Sequence, residues 1–150
     1  MSSITKSLYD TDFAEWSDRT AALIRAGRFH EIEAENLAEE IESLGISERH
    51  QLYGRVTRIL EHLLKLGLTQ EPLRSDNERL WRGSIRRQQG EIRQLLSDSP
   101  SLARRLTAET LQDCYADAAG AVGAEYDVKP EVQCPFAWSD VLPSAEPRKA

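Results

Sequence analysis

Apolar residues recur at spacings of three and four from Phe13 to Val122, and sustained apolar–polar alternation is almost absent. A period near 3.6 collects every third or fourth side chain on one face of a helix, whereas a half-buried strand needs a period of two. The chain is therefore read as all-α. At 150 residues, 40% of them apolar and 29% charged, it has the size of one ordinary domain and can bury roughly 70% of the surface its unfolded form exposes, without a disulfide or metal staple. A single helical domain over residues 1–150 is expected, with residues 1–9 and 143–150 loosely ordered.

The spacing predicts a first helix from about Asp10 to Asp12, where Asp12 and Glu15 form an acidic variant of the capping box. Phe13, Trp16, Thr20, Leu23 and Ile24 define its face, and Gly27 stops it. A second helix runs from about Arg28 with Leu37, Ile41 and Leu44 at i, i+4 and i+7, and Gly45 ends it. Ser47 caps a third, whose broad stripe of Leu52, Val56, Ile59, Leu60, Leu63 and Leu66 continues to near Gly67. After Pro72, the capping-box spacing of Ser75 and Glu78 opens a fourth helix to about Leu96, burying Trp81, Ile85, Ile92 and Leu95. Ser99 as cap and Pro100 at the first helical position start a fifth, which bends or breaks near Thr107 and runs toward Val122 on Leu111, Cys114, Tyr115 and Ala118. Beyond Tyr126 the prolines permit only a short helix around Phe136 to Leu142. Short connections favour antiparallel neighbours. The expected architecture is an up-and-down helical bundle of about five helices, with the Pro-interrupted C-terminal tail packed on it through Phe136 and Trp138.

Charge narrows the function classes. The net charge is −6, yet residues 1–50 hold five basic against eleven acidic residues, residues 51–108 eleven against six, and residues 109–150 three against eight. An acidic whole argues against bulk coating of nucleic acid, whose affinity comes from many unopposed Lys and Arg contacts to phosphate. Acidic and basic helices instead neutralise one another across a bundle or a dimer contact. No apolar run approaches the ~20 residues of a membrane span, and MSSITKSLYD lacks an apolar signal core, so a cytoplasmic protein without membrane contact is expected. Cys114 and Cys134 form no metal-binding spacing, and a disulfide between them is disfavoured in the cytoplasm. No P-loop, GxSxG, HExxH or dinucleotide fingerprint is present. No cofactor, metal site or small-molecule ligand is therefore expected.

Four groups of residues are candidate sites. Glu33 and Glu40 fall about 40° to 60° from Leu37, at the edge of the apolar stripe. Such carboxylates can act as a general base or hold a metal, but binding an arginine is the simpler role; Glu35, Glu39 and Glu42 lie opposite, as a solvated face. His62 flanks the stripe of the third helix beside Arg55 and Leu66, where a neutral imidazole could ligate metal or shuttle protons. A ferritin-like site would want Glu-x-x-His, and position 59 is Ile. His30 and His50, near helix starts, read as surface residues. Gln88, between Ile85 and Ile92, needs a polar partner from another helix if buried. Glu40 and His62 are the obvious ones, which makes a buried Glu40–His62–Gln88 network the sharpest structural expectation. Finally, Arg79, Arg82, Arg86 and Arg93 fall within ~60° of one another and could grip phosphate or an acidic partner. Trp81 lies on the buried face and so is not free to stack on bases, which disfavours nucleic acid.

Several segments together resemble one bacterial family, domain of unknown function 29. They are LYDTDFAEW (Leu8 to Trp16), ENLAEEIESLG (Glu35 to Gly45) with Ser47 to Arg49, HLLK (His62 to Lys65), WRGSIRRQQGEI (Trp81 to Ile92), DSPSL (Asp98 to Leu102) and CPF (Cys134 to Phe136). EEIESLG and the Trp-Arg with its Ile and Gln spacing are the most specific. The approach LRSDNERLW departs from the Arg- and Ser-rich one expected of members. The resemblance implies an all-helical single domain of bacterial origin and no chemistry. Three functional classes are thus ranked. A helical protein-interaction module, homo-oligomeric, with itself or another protein as partner, comes first. A small metal-assisted or acid–base enzyme using Glu40 and His62 comes second, and a nucleic-acid accessory protein using the arginine stripe third.

Overall fold

The computed structural model describes residues 7–144. Its elements are α1 (Leu8–Thr11), α2 (Phe13–Arg25), a 3-10 turn (Phe29–Glu31), α3 (Ala34–Leu68), α4 (Leu73–Asp98), a second 3-10 segment (Pro100–Arg105), α5 (Ala108–Tyr126) and α6 (Trp138–Val141). There is no strand among the described residues, so the chain is an all-α helical bundle. Contacts group into two compact units, the first ending at Ile46 and the second beginning at Ser47.

In the first unit the Asp12 side chain accepts from the Glu15 amide at 3.1 Å and caps α2 as the sequence predicts. Gly27 ends the helix in the left-handed region, at φ 72°. Trp16 and Thr20 are buried, but Phe13 and Ile24 of the expected face are exposed. Tyr9 meets Phe13 and Trp16 edge to face, its centroid 4.8 Å from that of Trp16, and the Phe13 and Trp16 rings are tilted at 32°.

The expected second and third helices are one. Gly45 does not end a helix, and Ser47 does not start one; both lie inside α3, which also places its first turn at Ala34 rather than near Arg28. The physical reason is a difference in scale. A glycine in a helix interior costs only ~1 kcal/mol, whereas two new helix ends would leave several backbone donors and acceptors unpaired. Glu35, in the first turn of α3, also complements its dipole.

The second unit holds the principal core. Leu52, Val56, Ile59 and Leu60 of α3 are fully buried and form one cluster with Trp81, Ile85 and Ile92 of α4, Leu102, and Leu111, Cys114, Tyr115, Ala118 and Val122 of α5. Those are the faces that the sequence spacing singles out. α4 begins earlier than expected, at Leu73, and Glu71 rather than a Ser75–Glu78 box accepts from the Ser75 amide, at 3.2 Å. Pro100 opens a 3-10 segment instead of an α-helix. Ser99 stands at its N-cap as expected, but its hydroxyl makes no capping bond and donates to Glu48 at 2.9 Å. The break expected near Thr107 is present, and the Thr107 side chain accepts from the Thr110 amide to start α5.

The tail packs on the bundle through the side chains of Phe136 and Trp138, as the sequence predicts, and through its backbone. Tyr115 donates to the Glu131 carbonyl at 2.7 Å, Gln89 to the Val141 carbonyl at 3.0 Å, and the Trp138 indole to the Thr107 carbonyl at 3.0 Å. Val141 is fully buried. Of the ends expected to be loose, residues 1–6 and 145–150 lie outside the described residues; Leu8 and Tyr9 stand in α1, and the Pro143 carbonyl accepts from Arg93.

Two glycines separate the alternatives. Gly45→Ala is expected to raise unfolding stability by about 0.5–1 kcal/mol, because a Cβ there meets nothing within 4 Å and the backbone is helical. Gly27→Ala is expected to lower it by about 1–2 kcal/mol through its positive φ. Urea denaturation of both variants reads the contrast; a destabilising Gly45→Ala would reject the continuous helix.

Candidate functional site

The expected polar residues find separate partners. Glu40, half-buried on α3 in the first unit, accepts from the Tyr9 hydroxyl at 2.6 Å, and Glu39 lies 3.4 Å from the same oxygen. Those carboxylates hold the Tyr9 phenol up at about 12, the Glu40 hydrogen bond contributing most. Glu33 is exposed and takes the Asn36 side-chain amide.

Gln88, half-buried on α4, accepts from Arg55 Nη1 at 3.1 Å. Arg55, not Glu40 or His62, is therefore the partner from another helix that the sequence reading sought. Its signal was a single arginine at the margin of the apolar stripe of α3, between Leu52 and Ile59. The Glu40–His62–Gln88 network does not form as hydrogen bonds: Glu40 goes to Tyr9, Gln88 to Arg55, and His62 Nδ1 is buried without a partner.

His62 is strongly perturbed by its surroundings. It is only 7% exposed, and burial first, then the charges of Lys65 and Arg58, push its pKa down from 6.5 to about 4. Lys65, one turn on, is also buried; its ammonium lies 3.3 Å from Glu125 Oε2 and 5.5 Å from the centre of the Tyr126 ring, which packs edge-on against Trp81. An imidazole held neutral beside a cation is a poor proton donor near neutrality. Among the described residues no group of three or more His, Cys, Asp or Glu is placed to hold a metal ion.

The four arginines of the α4 stripe are all exposed. Arg82 is taken up by Glu78 at 2.8 Å and Arg93 by the Pro143 carbonyl at 3.0 Å. Trp81 is buried, as the spacing predicts. His30 is at the surface; His50, expected near a helix start, is instead mid-helix and exposed on α3. Beside it lies a cleft between α3 and α4 that the sequence reading missed, lined by His50, Gln51, Gly54, Arg55, Arg58 and Gln88.

His62 gives a pH test. Its folded pKa lies below its unfolded value, so the unfolded chain takes up the proton first. The stability that comes from keeping the ring neutral is complete above pH 6.5 and is lost as pH falls from 6.5 toward 4. Between about pH 7 and about pH 5, the wild type is expected to lose ~2 kcal/mol more than His62→Gln, measured by urea denaturation at each pH. Parallel pH profiles for the two proteins would show that the imidazole is not held neutral.

No helix among the described residues is long and apolar enough to cross a membrane. No curated protein and no solved structure matches the chain. A family model does, over residues 8–145, from α1 to beyond α6, and the segments that carry the sequence resemblance lie within that span. The chain belongs to the family described as Domain of unknown function DUF29.

Proposed function

We propose that this chain is a helical protein-interaction module of the bacterial cytoplasm, and that it associates with a second copy of itself through its N-terminal unit. The observation that carries the reading is the apolar stripe at the start of α3. Leu37, Ile41 and Leu44 have the i, i+4, i+7 spacing of a packing seam, yet Ile41 is 61% and Leu44 70% exposed. Phe13 and Phe29 of the same unit are exposed as well. Scattered single apolar residues at a surface need no explanation, but a helical row of aliphatic side chains in a unit that also exposes aromatic rings has the composition of an interface core.

Charge supports the choice of a second copy. The N-terminal segment has eleven acidic against five basic residues, and residues 51–108 have eleven basic against six acidic. One chain thus supplies both halves of an electrostatically complementary contact. Arg79 and Arg86 are exposed on α4, and so are Leu73 and Leu80. A reciprocal arrangement, each copy giving its acidic unit to the other's arginines, closes as a two-fold dimer. The enzyme and nucleic-acid readings have less support, because Glu40 is tied to Tyr9 and two of the four stripe arginines are already engaged.

Light scattering across a concentration series tests this. The wild type is expected to shift from monomer to dimer, the shift weakening with salt. Ile41→Glu combined with Leu44→Glu is expected to weaken it by at least about 30-fold, the ~2 kcal/mol of a hot-spot loss. Arg79→Glu with Arg86→Glu should act in the same direction. A wild type that stays monomeric throughout, indistinguishable from the Ile41/Leu44 variant, would sink self-association.

A further inference from the structure

The cleft between α3 and α4 has a simple origin in the sequence. His50, Gly54 and Arg58 follow one another at spacings of four along α3, and Gln51 and Arg55 form the adjoining row. Gly54 therefore interrupts a row of long side chains, and a Cβ built there meets nothing within 4 Å. The missing side chain leaves a notch of about 270 Å³, open to solvent and closed on one side by Gln88.

The donors around that notch are under-used. Arg55 gives Nη1 to Gln88 Oε1 at 3.1 Å, which fixes its guanidinium, but its Nε is buried without an acceptor. Its nearest carboxylate, on Glu91, is 3.7 Å from Nη2. Arg58 is similar, with Glu61 3.8 Å from Nη1. Charge-assisted hydrogen bonds between such groups run at about 2.7–2.9 Å, so neither carboxylate closes on its arginine. Arg55, Arg58, Gln51 and Gln88 therefore line one open notch, with guanidinium groups whose neighbouring carboxylates stand beyond close hydrogen-bond distance.

We propose that this notch is an anion site for the phosphate group of a small phosphomonoester or for free phosphate. Two guanidinium groups and two amides on adjacent helices supply donors from several directions, which suits a tetrahedral oxyanion; a planar carboxylate is satisfied by one guanidinium fork. The volume is just below the range of ordinary small-molecule pockets and leaves room for a phosphate with part of the group it esterifies, the remainder extending into solvent. Glu61 and Glu91 are the competing acceptors, and the anion displaces their weak hold on the arginines. The site uses none of the residues of the proposed self-association, so either can fail alone.

The test is a titration of the full chain with inorganic phosphate at constant ionic strength, followed by NMR at the Gly54 amide and the Arg55 Nε–H. Saturable shifts of both are expected. Arg55→Gln and Arg58→Gln should each weaken binding by about 10-fold or more, the scale of one lost charged hydrogen bond. Gly54→Glu, which fills the notch with a carboxylate where the helix has room for it, should abolish binding while keeping the wild-type thermal midpoint. Glu91→Gln, which frees Arg55 of its competitor, should tighten binding. Glycerol 3-phosphate binding more tightly than inorganic phosphate identifies an ester as the ligand; equal affinity identifies free phosphate. The proposal is overturned if phosphate gives no saturable shift, if Arg55→Gln and Gly54→Glu bind like the wild type, or if acetate matches phosphate.

Discussion

The structure depends on the apolar seam along the second half of α3. Leu52, Val56, Ile59 and Leu60 are wholly removed from solvent, and α4, α5 and the tail each contribute side chains to the same cluster. Each such aliphatic side chain contributes roughly 1.5–3 kcal/mol by burial. That seam sets the register of everything beside it: α4 must turn Trp81, Ile85 and Ile92 inward, and α5 must turn Leu111, Cys114, Tyr115, Ala118 and Val122. Once those faces are committed, the side chains at their margins have no freedom to choose neighbours.

The polar residues of interest all stand at such margins. Arg55 and His62 share α3 with the seam, and each is left with one buried nitrogen that no protein group satisfies. Lys65 buries its stem and turns its charge to Glu125 and the Tyr126 ring. For His62 the outcome is a neutral ring, since desolvation dominates its environment. Arg55 also lines the notch beside Gly54, where the proposed anion would meet its guanidinium.

The N-terminal unit follows a different logic. It packs Trp16 and Thr20 and ties Tyr9 to Glu40, but it leaves Ile41 and Leu44 in water. The spacing Leu37, Ile41, Leu44 reads in sequence as one more core face, and periodicity alone cannot tell a stripe covered within the chain from one awaiting a partner. Gly45 and Ser47 misled for a related reason. They are local signals worth about 1 kcal/mol each, and the gain from carrying one helix through exceeds them.

The amino-acid order by itself determined the all-helical class, the inward faces of α4 and α5, the Asp12 cap, the left-handed stop at Gly27 and the break at Thr107, since each depends on residues within a turn or two of one another. It also carried the family membership. Only the tertiary structure decided that α3 is continuous, that Gln88 meets Arg55, that His62 is stripped of water and that a cleft opens at Gly54. Apart from the continuity of α3, those features depend on elements distant in the chain, and which margins meet is fixed by how the buried faces interlock rather than by any local preference.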